Sequence, residues 1–193
     1  MSIVEIDQTI TLWLNSLGTE ALDPFWKFLS TARVWYPLYG LIMGFIIYRL
    51  GWKRGLIVVA SLFLAVIATD QLSGLVKAYF QRLRPCFDPW MLEHGVRHPI
   101  KPGHLYGFFS SHASNTFGFA IASYMGLRND KAHRYTAYAW VIMLWAALVS
   151  LSRVMLAAHF VGDILVGAAF GLLIGSLIAL MAGSLCERVG VTN

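Results

Sequence analysis

GLIVVASLFLAVIATDQLSGLV, residues 55–76, is 22 residues long and holds one charged side chain, Asp70. A run of that length and character is long enough to cross a bilayer as a helix. Four more uncharged runs accompany it: 34–48, 107–127, 135–152 and 164–186. The first is 15 residues and reaches span length if its helix starts earlier and Arg33 snorkels to the interface. The chain as a whole agrees with this reading. Of its 193 residues 58% are apolar and 13% are charged, and mean hydropathy is +0.62. A soluble domain of this size cannot hide so much apolar surface, and a disordered chain would not carry it. The 15 Lys and Arg are spread rather than massed, which disfavours a nucleic-acid partner despite a pI near 9.4. The expectation is an all-α, polytopic membrane helix bundle of about five transmembrane helices forming a single domain over residues 1–193.

Ahead of the spans, Ile3, Ile6, Ile10, Trp13 and Leu17 recur at helical spacing among Glu5, Asp7, Gln8 and Asn15. This pattern predicts an interfacial amphipathic helix within residues 1–30. Glu5 and Asp7 also stand where a cleaved secretory leader would be basic. Two cysteines, Cys86 and Cys186, make neither a disulfide framework nor a zinc site, and the topology puts them on opposite faces. Arg49, Lys53 and Arg54, with Arg128, Lys131, Arg134 and Arg188, fall on one side of the bundle. Their density in short loops containing one acid, Asp130, places that side in the cytoplasm. The other side carries Lys27, Arg33, Lys77, Arg82, Arg84, Arg97, Lys101 and Arg153, against the orientation rule. Cations there need another reason to exist, and an anion site supplies one. The connection 80–106 lies on that outer side. It is rich in Pro and Gly (Pro85, Pro89, Gly95, Pro99, Pro102, Gly103), holds Trp90 and Phe87, and suits a surface lid.

Three segments meet at the outer face: Lys77 to Pro85, Phe109 to His112, and Ser152 to Asp163. Lys77, Arg84 and Arg153 are permanent cations, and guanidinium groups take phosphate oxygens two at a time. Ser110, Ser111 and the first amides of the third span form a helix N-terminus, which favours anions. His159 and Asp163 are four apart and share a helix face. A carboxylate there holds one imidazole nitrogen and leaves the other free to attack. His112, from a different helix, is free to protonate a leaving oxygen. No cluster of acids offers a metal site, and no cofactor is called for. These residues together imply metal-free phosphoryl transfer to water through a phosphohistidine. Asp70 lies seven residues before Lys77, about 10 Å deeper on nearly the same face. It reads as a partner for a clamp cation or a neighbouring helix ahead of a direct catalytic role. Arg82 is open to two readings, an accessory to the site or a lipid-headgroup anchor. Gly167, Gly171 and Gly175, at every fourth residue, predict close helix packing. His94, His98 and His104 read as solvated loop residues.

Lys-x6-Arg-Pro, then Ser-x-His, then Ser-Arg-x5-His-x3-Asp resembles the signature of the type-2 phosphatidic acid phosphatases, which also include vanadium haloperoxidases and bacterial acid phosphatases. The family's middle motif usually reads Pro-Ser-Gly-His, where this chain has Phe109-Ser110-Ser111-His112. The resemblance implies His159 as nucleophile, Asp163 as its orienter and His112 as general acid. It implies a phosphate clamp of Lys77, Arg84, Arg153, Ser110 and the Ser111 amide. It further implies a bacterial inner-membrane enzyme with its site facing the periplasm or exterior, acting on a membrane lipid phosphate or diphosphate. Undecaprenyl diphosphate is the first expectation. Phosphatidylglycerol phosphate, phosphatidic acid, lipid A, a lipid phosphotransferase and a non-catalytic lipid-phosphate binder are the alternatives.

Overall fold

A computed structural model describes residues 1–101 and 103–191 of the chain, so Pro102 lies outside the described residues. In chain order the α-helices are α1 (Ile3–Ser16), α2 (Asp23–Ser30), α3 (Tyr36–Leu50), α4 (Trp52–Phe80), α5 (Pro89–Glu93), α6 (Ser111–Leu127), α7 (Thr136–Met155) and α8 (Val161–Val191). The fold is an all-α membrane bundle. Helices α3, α4, α6, α7 and α8 stand at the five places where the apolar runs predict them. By length and apolar composition α4, α7 and α8 are each able to cross a membrane. Large apolar side chains point outward from these helices, among them Ile67, Leu75, Trp140, Leu144, Leu165 and Leu177. A bilayer accommodates such a surface and water does not.

Local chemistry sets the boundaries. In α1 the Ser2 hydroxyl accepts from the Glu5 N–H at 3.2 Å and the Glu5 carboxylate accepts from the Ser2 N–H at 2.9 Å, a capping box. Pro24 and Pro37 sit in the first turns of α2 and α3, where a missing N–H costs nothing. Gly51, at φ 76°, turns α3 directly into α4, a conformation that needs glycine. The apolar run expected from Gly107 becomes helical only at Ser111. Residues 107–110 form an irregular bent segment instead, in which the Gly107 N–H donates to Arg82 O at 2.8 Å and the Ser110 N–H to Asp163 O at 3.1 Å. The connection 80–106 is more ordered than its Pro and Gly content predicts. It holds a 3-10 turn at Pro85–Phe87, the short α5 capped by Asp88, and an antiparallel bridge between Leu83 and Tyr106.

Helix α6 is the centre, packed on α4, α7 and α8. Ile46, Val58, Leu62, Phe119, Ala122 and Val149 fill the core between them. The glycine stripe of α8 lies against the backbone of α6. A Cβ on Gly167 would stand 2.7 Å from Ser110 O, and one on Gly175 would stand 2.5 Å from Gly118 O. Small residues let two backbones approach this closely. Both cysteines are free and buried.

Helix α1 turns its polar face inward. Thr11 and Asn15 are fully buried, while Ile3, Ile6, Ile10, Trp13 and Leu17 are exposed. That inversion suits a helix lying at a membrane surface, with lipid on its apolar side and protein on its polar side.

Candidate active site

The turn between α7 and α8 carries His159. Ala157 adopts a left-handed φ of 52°, and the N–H groups of Ala158 and His159 both donate to Arg153 O, at 2.8 and 3.2 Å. This tight turn places His159 two residues before α8, so it does not share a helix face with Asp163 as the spacing predicts, and 2% of its surface is exposed. Its Nδ1 lies 3.4 Å from Asp163 Oδ2, longer than a formed hydrogen bond. Its Nε2 lies 3.1 Å from Arg84 Nη1. A guanidinium nitrogen is a donor only, so Nε2 presents its lone pair and Nδ1 carries the proton that faces Asp163. Burial holds the imidazole well below its ordinary pKa, and Arg84, Arg153 and Lys77 add to the effect in that order. The ring is therefore neutral at pH 7 and its Nε2 is a free base.

Asp163 is fully buried in the first turn of α8. Its Oδ2 accepts from the Phe160 N–H at 3.1 Å, and its Oδ1 from Arg82 Nη1 at 2.8 Å. Arg82 also donates to Asp7 of α1 at 2.7 Å and stacks on Phe160, 4.0 Å from the ring centroid. Arg82 is thus engaged within the protein, between Asp7, Asp163 and Phe160. Gly107 passes directly over the pair. A Cβ there would stand 3.2 Å from Asp163 Oδ2 and 3.5 Å from His159 Nδ1, so glycine lets the segment 107–110 pass this close.

The three expected clamp cations converge on this point. Arg84 is buried and aimed by two carbonyls, donating through Nε to His104 O and through Nη1 to Ala158 O, both at 2.8 Å. Arg153, at the end of α7, is buried and donates to the Ser30 hydroxyl of α2. Lys77, in the last turn of α4, donates to the hydroxyls of Ser111 and of Ser73, the latter at 3.3 Å. The Ser73 and Ser111 hydroxyls are themselves 2.7 Å apart. Ser111 thus offers a hydroxyl to Lys77 where the family pattern has glycine. Ser110 caps α6, its hydroxyl accepting from the Ala113 N–H at 3.4 Å. Among the described residues the one carboxylate in contact with His159, Asp163, is already engaged by Arg82. A pocket with this charge balance attracts an anion.

His112 stands in the first turn of α6, its Nε2 3.2 Å from Ser30 O. It lines a cavity of about 550 Å³ that runs between α2, α3, α4 and α6. Ser111 shares that lining, and Tyr39, Leu62, Phe63, Val66 and Phe119 make its wall apolar. Phe119 lies seven residues beyond His112, about 10 Å further along α6. Asp70 also faces the cavity and accepts from Asn115 Nδ2 of α6 at 3.1 Å. Asn115 in turn accepts from the Thr69 hydroxyl at 2.8 Å. Asp70 thus bonds a neighbouring helix, and Lys77 turns to serines instead.

Sequence reasoning missed Asp7, Ser30, Ser73, Gly107 and Asn115. Ser73 had a signal, standing four residues before Lys77 on the same face. Gly107 and Ser30 had none, because their importance arises from where the chain passes.

The sequence model of the PAP2 superfamily matches residues 54–185 of this chain. A lipid A 4'-phosphatase of Porphyromonas gingivalis is 30% identical over 177 residues, covering 91% of this chain and 72% of the relative. A lipid A 4'-phosphatase of Bacteroides thetaiotaomicron is 29% identical over 196 residues, 96% of this chain and 80% of the relative. Phosphatidylglycerophosphatase B of Bacillus subtilis is 30% identical over 172 residues, 86% and 74% of the two chains. Among solved structures, a transmembrane PAP2-type phosphatidylglycerolphosphate phosphatase from Bacillus subtilis superposes with a TM-score of 0.72 at 21% identity, over 91% of this chain and 84% of that one. Aquifex aeolicus LpxE superposes with a TM-score of 0.66 at 21% identity, over 90% and 93%. At these identities the two superpositions speak for the fold.

Proposed function

This chain belongs to the PAP2 superfamily and is a membrane lipid phosphatase, and from that premise we propose that it hydrolyses a lipid phosphate through a phosphohistidine on His159. The observation that supports the mechanism is His159 Nε2 standing 3.1 Å from the Arg84 guanidinium, a donor only, with Asp163 behind the ring. Lys77, Arg84 and Arg153 hold the phosphoryl oxygens, with Ser110 and Ser111 at the helix start. Nε2 attacks phosphorus while the bond to the lipid oxygen breaks. The bound phosphate's negative charge favours protonated His112, which gives its proton to that oxygen. Asp163 balances the positive charge that develops on the ring. Water, deprotonated by His112, then attacks the phosphohistidine and releases inorganic phosphate, and Nε2 regains its lone pair.

The apolar cavity beside His112 and Ser111 accommodates the lipid tail. Two relatives named lipid A 4'-phosphatase support a phosphorylated glycolipid as the first substrate to test. Undecaprenyl diphosphate, the first expectation from the sequence, belongs in the same assay. Density of Lys and Arg in the opposite loops supports a site on the outer face of a bacterial inner membrane.

Phosphate release in detergent with EDTA tests this reading, using lipid A, phosphatidylglycerol phosphate, phosphatidic acid and undecaprenyl diphosphate. Wild type is expected to cleave at least one of them at full rate in the chelator. A strict divalent-metal requirement, or no release from any lipid, would overturn it. Added lipid or sugar alcohols should not divert phosphate into a new ester; if they do, the enzyme is a transferase.

Arg153→Lys keeps the charge and loses the fork. Hydrogen bonds to charged groups contribute about 1.5–3 kcal/mol, so kcat/KM is expected to fall roughly 10–100-fold. Unchanged kinetics would remove Arg153 from the clamp.

A further inference from the structure

Helix α1 lies outside the segments that carry the site's motifs, yet its polar face reaches the catalytic pair. Asp7 Oδ1 accepts from the Gly162 N–H at 2.8 Å, and Thr11 Oγ accepts from the Val161 N–H at 3.0 Å. These are the first two residues of α8, whose N–H groups have no partners within the helix. Asp7 Oδ2 accepts from Arg82 Nη2 at 2.7 Å, and the other arm of the same guanidinium donates to Asp163 Oδ1 at 2.8 Å. Arg82 therefore bridges two carboxylates, one from each end of the chain. Gly162 permits the approach, since a Cβ there would stand 2.7 Å from Asp7 Oδ2.

We propose that Asp7 is a positioning residue for the His159–Asp163 pair, acting through Arg82 and the Gly162 amide; this rests on the phosphohistidine reading above. Charge counting gives the reason. Asp7, Arg82 and Asp163 together carry one net negative charge, and it faces the imidazole. Without Asp7, Arg82 cancels Asp163 and the developing imidazolium meets a neutral pair. Geometry adds a second effect. With Asp7 in place the guanidinium is pinned from both sides, by two carboxylates and by the Phe160 ring, so Asp163 cannot swing away from Nδ1. Asp7 touches neither substrate nor the reacting atoms.

Helix α1 keeps other anchors, so an Asp7 variant can fold. Asn15 Nδ2 donates to Arg97 O, Val154 O and Met155 O, and Gln8 donates to Asp88 at 3.2 Å. The test compares Asp7→Asn with Gln8→Ala, which also removes one α1 anchor but none near Arg82. At metal centres the hydrogen-bond partners that orient a ligating histidine are commonly worth 10–100-fold, and the same order is expected for a group that orients a carboxylate behind a histidine. Asp7→Asn is expected to lower kcat by roughly that factor with KM and melting temperature close to wild type. Gln8→Ala should stay within about twofold of wild-type kcat. In an Asp163→Asn background, Asp7→Asn should cost little more, because the two act on one group. A wild-type kcat for Asp7→Asn overturns the proposal. So does an equal loss in Gln8→Ala, which would make α1 a structural anchor only. His159→Ala run beside them separates the two levels: an inactive His159→Ala with an active Asp7→Asn removes the positioning role alone. A fully active His159→Ala removes the phosphohistidine and the role of Asp7 with it.

Discussion

His159→Ala is expected to lower kcat by on the order of 10⁴-fold or more, about 5 kcal/mol on the barrier. No second side chain stands ready to replace it. His112 faces Ser30 O and the cavity, and the cations offer no lone pair. The variant should still fold, because Arg84 keeps its bonds to His104 O and Ala158 O. Its pH behaviour provides an independent check. Burial and three neighbouring cations hold the wild-type imidazole well below its ordinary pKa, so the folded protein leaves it neutral. The unfolded chain protonates it below about pH 6.5. The unfolded state then binds the extra proton, and wild-type stability falls as pH drops through that value. His159→Ala lacks this penalty and should lose less melting temperature between pH 7 and pH 5. Phosphate release in single turnover reads the first effect and thermal unfolding in detergent reads the second. Activity within tenfold of wild type would mean that water attacks the lipid phosphate directly.

Asp163→Asn has the next largest expected effect, a fall in kcat on the order of 10³–10⁴-fold, as when a carboxylate that orients a catalytic histidine becomes an amide. The carboxylate has two acceptor oxygens, used by Arg82 and Phe160 N–H and facing the His159 Nδ1 proton. An amide has one oxygen and must aim its NH2 at a donor or at Nδ1. Facing Nδ1, it favours the tautomer with the proton on Nε2. That proton then opposes Arg84 and removes the attacking lone pair. The cost in stability should be smaller, roughly 1–3 kcal/mol, since Asp7 still holds Arg82. A variant with lowered melting temperature and wild-type kcat would confine Asp163 to capping α8.

The helices were readable in the sequence because lipid imposes one simple demand, long uncharged runs, at every depth. Their ends were less so. Helix α6 starts at Ser111 rather than Gly107 because the intervening segment is tied to the carbonyls of Arg82 and Asp163, residues 25 or more positions away. The His159–Asp163 pair was legible as a four-residue spacing, but the shared helix face was not borne out, because the chain turns at Ala157 and α8 begins only at Val161. Asp7 was not: the apolar stripe of α1 says which face meets lipid, and nothing in its period says what the polar face will touch. Arg82 kept two readings until packing set it between Asp7, Asp163 and Phe160. The cavity beside His112 was also invisible, since it is space left between four helices rather than a property of any one.

The glycine stripe of α8 has a consequence for how such a scaffold diversifies. At the α6–α8 seam the backbones touch, and an added methyl has nowhere to go. That seam fixes the distance between the helix bearing His112 and the helix bearing Asp163. Across the cavity the facing wall is made of Tyr39, Met43, Phe63 and Val66 from α3 and α4, side chains that can be exchanged for others of different size. Substitutions on α3 and α4 can therefore reshape the cavity wall while His112 and Asp163 keep their spacing.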